Sequence, residues 1–200
     1  YAIYTGLVYL TPIIGGYLAD RYLGTQKTIF IGGITMMLGH FLMAFPNLLY
    51  LAMGLLIIGN GYFKPNISTL LGKLYKTNDT RRDSGFSIFY IGINLGAFLA
   101  PLIVGYVGET INWHYGFAIA GIGMFAGLIQ FYFGQNKIVE EDTSKKTKKL
   151  DFSDWGSILF FSLINIPIIL LVFKINSFIN LYIYEILFLS FIYLIILFLN

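Results

Sequence analysis

The chain has 200 residues; 57% are hydrophobic, 12% are charged and none is Cys. An ordinary soluble domain is about 45–50% apolar and about 25% charged, so this composition, with a mean hydropathy of +0.75, excludes a soluble enzyme, a disordered segment and a nucleic-acid binder. The net charge of +3 sits in short loops and reads as membrane topology, not as a phosphate-binding patch. Without Cys there is no disulfide framework, thiolate metal site or cysteine nucleophile, and two His 74 residues apart do not suggest a metal centre. The chain starts at Tyr1 and stops inside an apolar run at Asn200, so both ends are expected to be cuts in a longer protein.

Apolar stretches long enough to span a bilayer as helices, about 20 residues, fall at 1–19, 28–45, 48–71, 85–107, 115–134, 155–173 and 181–199. None shows clean alternation, which argues against a transmembrane barrel, and the first lacks the basic flank and cleavage site of a secretory signal. The expected fold is an all-α integral membrane bundle. Residues 1–134 form a first bundle, 135–154 a polar linker, and 155–200 two further membrane helices. The loops fix the orientation. Counted alternately, one side holds Arg21, Lys27, Lys73, Lys76, Arg81, Arg82, Lys137, Lys145, Lys146, Lys148 and Lys149, which is 11 of the 13 Lys and Arg. The other side holds only Lys174, and Lys64 lies within a span. By the positive-inside rule the loops 20–27, 73–84 and 135–154 are cytoplasmic. The first span then enters from outside, so a cytoplasmic N-terminus would require one more span before Tyr1.

Along the first five spans, three polar groups reach similar depth. Tyr9 lies 11 residues before Asp20, roughly 16 Å from the cytoplasmic end. Lys64 lies 9 residues before Lys73, roughly 13 Å deep by the same rise. Asn94 lies 9 residues past the start of its span, roughly 14 Å deep. A lysine near the bilayer centre costs about 2.5–3.5 kcal/mol on insertion scales. Snorkelling to the interface is the ordinary remedy, but the side chain is too short for this depth. No acid in the chain matches its level, which leaves a cavity or an anionic substrate as its counterpart. Pro65, next in sequence, removes one helical hydrogen bond, and Asn66, Ser68 and Thr69 are at hand to serve the opened backbone. Together Tyr9, Lys64 and Asn94 read as the wall of a site at the membrane midplane.

The first loop, Gly16-Tyr-Leu-Ala-Asp20-Arg21-Tyr-Leu-Gly24-Thr-Gln-Lys27, carries Asp20 at a helix C-terminus, where the macrodipole disfavours a negative charge. Asp20 is therefore expected to meet either Arg21 or a distant cation or helix N-terminus, acting as a latch. Other apparent motifs carry less. The glycines of Gly59-Asn-Gly61-Tyr-Phe-Lys64 follow no strand, so they do not form a phosphate loop. The sequons at Asn66 and Asn78 lie in the membrane and on the cytoplasmic side, where they are unusable. Gly123 and Gly127 suit close helix packing. His40, His114 and Glu185 fit packing or interfacial positions.

These motifs resemble a known family. Segment 16–27 resembles the loop between the second and third helices of the major facilitator superfamily. Gly59-Asn-Gly-Tyr-Phe-Lys64-Pro65-Asn66-Ile-Ser68-Thr69 resembles the fourth-helix motif of the proton-dependent oligopeptide transporters, and Phe86-Ser-Ile-Phe-Tyr-Ile-Gly-Ile-Asn94-Leu-Gly96-Ala-Phe98 their fifth-helix signature. The resemblance covers residues 1–134. Segment 155–200 resembles in arrangement the two helices that bacterial members insert between their six-helix halves. It implies a major-facilitator-type fold in the cell membrane. It also implies proton-coupled symport of di- and tripeptides by alternating access, driven by the proton gradient with no cofactor or metal. Lys64, Tyr9 and Asn94 would be substrate-binding residues. Asp20, Arg21, Gly24, Pro65 and Asn66 would belong to the gating and structural motifs. The implied partners are a small peptide, protons and lipid, with no nucleic acid. The family's Glu-x-x-Glu-Arg motif and its C-terminal-half glutamates are not in this chain. The same scaffold could carry nitrate, an amino acid or another small solute. A membrane enzyme would need paired acids, a His cluster or an activated Ser in the spans, and none is found; an assembly subunit would not need Lys64.

Overall fold

The computed structural model describes residues 2–76, 78–135 and 156. Apart from Gln135 and Gly156, the expected linker at 135–154 and the expected spans at 155–173 and 181–199 lie outside these residues. Five α-helices follow one another: α1 (Ala2–Leu18), α2 (Thr25–Leu42), α3 (Leu49–Lys73), α4 (Arg81–Thr110) and α5 (Trp113–Gly134). No strand occurs among the described residues. Among the described residues, three segments are long and apolar enough to cross a membrane on length and composition alone: Pro46–Lys73, Arg81–Thr110 and Trp113–Gly134. Helix α1 has only 17 residues because its chain winds on as a π-helical turn, Ala19–Leu23. Helix α2 carries Gln26, Lys27 and His40, which dilute its apolar stretch.

Local chemistry ends each helix. The π-turn closes when the Gly24 amide donates to the Ala19 carbonyl at 2.9 Å. Gly24 itself holds φ 77° and ψ 155°, a backbone region reserved almost wholly for glycine. Its carbonyl then starts α2, accepting from both the amide (3.2 Å) and the hydroxyl (2.8 Å) of Thr28. Helix α2 stops near Met43, and Phe45 is extended at φ −110°, ψ 113°, as the residue before a proline tends to be. Pro46 then opens a short 3₁₀ turn, Pro46–Leu48, that leads into α3. Helix α5 is capped by Asn112, whose Oδ1 accepts from the His114 amide at 2.9 Å and satisfies one of the free first-turn donors.

Helix α3 lies between α1 and α2, α2 between α3 and α5, and α5 between α2 and α4. Alternation places the turn after α1, the loop after α3 and the end of α5 on one side. Lys73 at the end of α3 donates to the Thr25 hydroxyl at the start of α2 at 2.7 Å, tying two of these ends together. Small residues set the spacing. A Cβ added at Gly32 would meet the backbone of Gly59 and Phe63, and one at Gly39 would meet Leu56 and Ala52. In a bilayer, where apolar burial drives little association, such close backbone approach supplies the packing energy. Among the described residues, a Cβ added at Gly123 or Gly127 would meet nothing within 4 Å, whereas one at Gly116 would meet Val104 and one at Gly121 would meet Phe41. The close-packing glycines of α5 among the described residues are thus Gly116 and Gly121. At the α1 turn, Leu18, Leu23, Ile58 and Tyr62 form a buried cluster with Ile14, Tyr22 and Ile31 against it.

Candidate substrate site on helices one and three

Helices α1 and α3 run parallel and are joined by side chains that donate to backbone. Thr11 Oγ1 donates to the Ile57 carbonyl at 3.0 Å, Asn60 Nδ2 to Val8 at 3.0 Å, and Asn66 Nδ2 to Gly15 at 3.3 Å. The Asn66 amide also donates to Tyr62 at 2.8 Å, and Thr69 Oγ1 donates to the Pro65 carbonyl at 2.9 Å. Neither reaches the Gly61 carbonyl that Pro65 leaves without its helical donor. That carbonyl instead abuts Gly15, where an added Cβ would collide with it. The expectation that Asn66 and its neighbours serve the opened group is corrected: Asn66, buried at 3% exposure, holds α1 to α3 instead.

Lys64 and Tyr9 come together. The Lys64 ammonium lies 5.0 Å from the centroid of the Tyr9 ring, within cation–π range. Both side chains are exposed, Tyr9 at 67%, on a face of the α1–α3 pair that no other described element covers. Among the described residues the Lys64 ammonium meets the Tyr9 ring and no anionic group. Asn94 does not join them. It lies on an exposed stretch of α4 and donates to the Tyr90 carbonyl at 2.9 Å. Helix α4 meets α3 at its start, where Arg82 and Phe86 lie beside Gly72, and Tyr75 lies against Gly85.

At the first turn, Arg21 does not pair with Asp20. Its Nη1 donates to the Tyr17 hydroxyl at 2.9 Å, and its guanidinium sits 5.8 Å and 5.7 Å from the Tyr17 and Tyr22 ring centroids. Asp20 is exposed and makes no ion pair among the described residues. In the next loop, Asp79 accepts from the Arg81 amide at 2.9 Å and from its guanidinium at 3.1 Å and 2.8 Å. These bonds to the guanidinium, then to the amide, hold the Asp79 carboxyl down at about 2. No group of three or more His, Asp or Glu that could hold a metal is found among the described residues. At the other end His114 Nδ1 lies 3.2 Å from the Met43 carbonyl. Buried His40 Nδ1 has no partner among the described residues.

Sequence reasoning missed Thr11, Asn60 and Pro12. The signal was present: a proline and two small polar residues inside apolar runs of two helices. Only the contact shows that they answer one another.

The sequence model of the POT family matches residues 26–166. The chain belongs to the POT family. This POT-family chain is 53% identical over 139 residues to an uncharacterised transporter, YclF, of Bacillus subtilis (strain 168), covering 68% of this chain and 28% of that protein. It is 46% identical over 153 residues to a di-/tripeptide transporter of Lactococcus lactis subsp. lactis (strain IL1403), covering 75% of this chain and 31% of that protein. The POT-family chain therefore spans about 30% of the length of the curated relatives it matches. Its fold matches the crystal structure of a mutant of the peptide transporter POT in complex with alafosfalin. The TM-score is 0.74 at 41% identity, over 96% of this chain and 40% of that one. The five helices are thus part of a major-facilitator-type helical bundle, and the chain is a membrane protein.

Proposed function

We propose that the protein is a secondary transporter that carries di- and tripeptides across the cell membrane together with protons, by alternating access, and that it is not an enzyme. One observation carries the reading. Lys64, on a membrane helix, presents its ammonium beside Tyr9 with no anionic partner among the described residues, inside the fourth-helix motif that resembles the peptide symporters. A free peptide supplies the missing anion through its C-terminal carboxylate. Tyr9 fronts that ammonium and would contact the peptide with it; Asn94, apart from them on α4, stays a substrate-binding candidate through the resemblance of its helix motif alone. The names of the relatives support the substrate class. The charge split supports cytoplasmic loops at 20–27, 73–84 and 135–154. The proton gradient is the energy source, with no cofactor or metal.

Asp20, Arg21 and Gly24 form the gate turn on the cytoplasmic side. With Arg21 held by Tyr17, Asp20 is free to latch to another element of the bundle. Pro65 and Asn66 shape α3 against α1. The test is uptake of a labelled dipeptide by the full-length protein in proteoliposomes, with and without an inward proton gradient. Gradient-dependent accumulation is expected. A free amino acid or nitrate carried as fast as the dipeptide would replace the peptide reading with another solute on the same scaffold.

A further inference from the structure

Pro12 lies within α1, and its ring nitrogen has no hydrogen, so the Val8 carbonyl one turn back has no helical donor. In hydrocarbon such a group must be served by protein. Asn60 of α3 does so: its Nδ2 donates to the Val8 carbonyl at 3.0 Å. Asn60 precedes Lys64 by four residues, so the two share one face of α3. Val8 directly precedes Tyr9. Two side chains a turn apart on α3 therefore address two consecutive residues of α1, Asn60 the peptide group at Val8 and Lys64 the ring of Tyr9.

We propose that Asn60 is a positioning residue of the substrate site. Anchored on the carbonyl that Pro12 opens, it fixes the backbone just before Tyr9 and so sets the ring that fronts the Lys64 ammonium. The proline creates an acceptor that an unbroken helix would keep for itself, and the carboxamide uses it as a fixed point between two helices. Thr11, on the same seam, donates to Ile57 and so grips α3 without holding the segment beside Tyr9. The proposal rests on the reading that Tyr9 and Lys64 line the substrate site, so its test includes a readout that uses neither the substrate nor the lysine charge.

The variants are Asn60→Leu, which keeps size but loses the donor, Pro12→Ala, which returns an N–H to the Val8 carbonyl, and both together, each in the full-length protein. The first readout is the dipeptide Kd. The second is cross-linking by a short bis-maleimide between Tyr9→Cys and Lys64→Cys; these 200 residues hold no other cysteine, and any elsewhere in the full-length protein is first replaced by Ser. Asn60→Leu should weaken dipeptide binding by up to about tenfold and lower the cross-linking yield. Pro12→Ala added to it should restore most of both, because the carbonyl then has its helical donor. The proposal is overturned if Asn60→Leu lowers only thermal stability, with Kd and cross-linking unchanged, or if the double variant stays as impaired as the single one. If Asn60→Leu does not reach the membrane alone, it is compared in the Pro12→Ala background. There it should be silent, and a tenfold loss would overturn the proposal. Changed cross-linking that Pro12→Ala restores, without a change in dipeptide Kd, would uphold the positioning of Tyr9 and reject the substrate site itself.

Discussion

A cation–π contact contributes about 0.5–1 kcal/mol when exposed and about 2 kcal/mol when desolvated, against about 2.5–3.5 kcal/mol to hold a lysine at mid-bilayer. Tyr9 therefore offsets only part of the cost of Lys64, and the remainder favours an anion at the ammonium. A hydrogen bond to a charged group contributes about 1.5–3 kcal/mol. We expect Lys64→Gln to weaken dipeptide binding roughly 10- to 100-fold, while a dipeptide amide, lacking the carboxylate, should bind weakly and hardly notice the substitution. Titration calorimetry across this double cycle isolates the pair; equal losses for both ligands would end the carboxylate role. The sequence grouped Lys64 with Tyr9 and Asn94 only as polar residues at similar places in apolar runs; that the ammonium meets the Tyr9 ring is seen in the structure alone. Nor was the place of Asn94 legible: equal depth on two helices says nothing of the distance between them. A second residue-scale expectation concerns Asp79. Its carboxyl sits at about 2 against an ordinary 3.8. A depressed carboxylate stabilises the folded loop at pH above about 4, and that contribution is lost as pH falls from 4 toward 2. The ¹³C shift of labelled Asp79 should titrate near 2, and Arg81→Ala should move the midpoint up toward 3.8; an unmoved midpoint would dismiss the pairing.

Among the elements, hydropathy located all five described helices but not their ends. Helix α4 begins at Arg81, four residues before the apolar stretch at 85, because helicity continues through charged residues that hydropathy discounts. The π-turn after α1 was illegible for a related reason, since no local composition distinguishes five-residue from four-residue hydrogen bonding. Its one marked residue is Gly24, at φ 77°. Gly24→Ala should cost about 1–3 kcal/mol, seen as a lower Tm of the purified protein in detergent; an unchanged Tm would mean that the turn readily adopts another path. Asp20→Asn leaves that backbone intact and removes the proposed latch. It should change the transport rate more than dipeptide affinity, since a gate acts by shifting populations. A tenfold weaker Kd with normal transport would count against it.

For the whole molecule, apolar length specifies how many times the chain crosses but not which helices touch. The neighbour order rests on bare glycine backbones such as Gly32 and Gly39, whose partners no periodicity announces. The orientation proposed above rests on the loop charges instead. A cysteine at Thr80 should resist an impermeant thiol reagent applied to intact cells, and one at Thr110 should react; the reverse pattern would invert the topology. The seam between α1 and α3 has a bearing on how the protein is made. Its three bonds join residues 46, 52 and 51 positions apart. At about 5–20 residues per second of synthesis, α1 precedes Asn60 by roughly 3–10 s. Throughout that interval the Val8 carbonyl, opened by Pro12, has no donor from α3, so α1 is a poor lodger in lipid until its partner arrives. Nascent chains halted before Asn60 emerges should yield α1 to alkaline extraction. Chains halted after α3 has entered the bilayer should hold it, and equal retention at both lengths would mean that α1 settles alone.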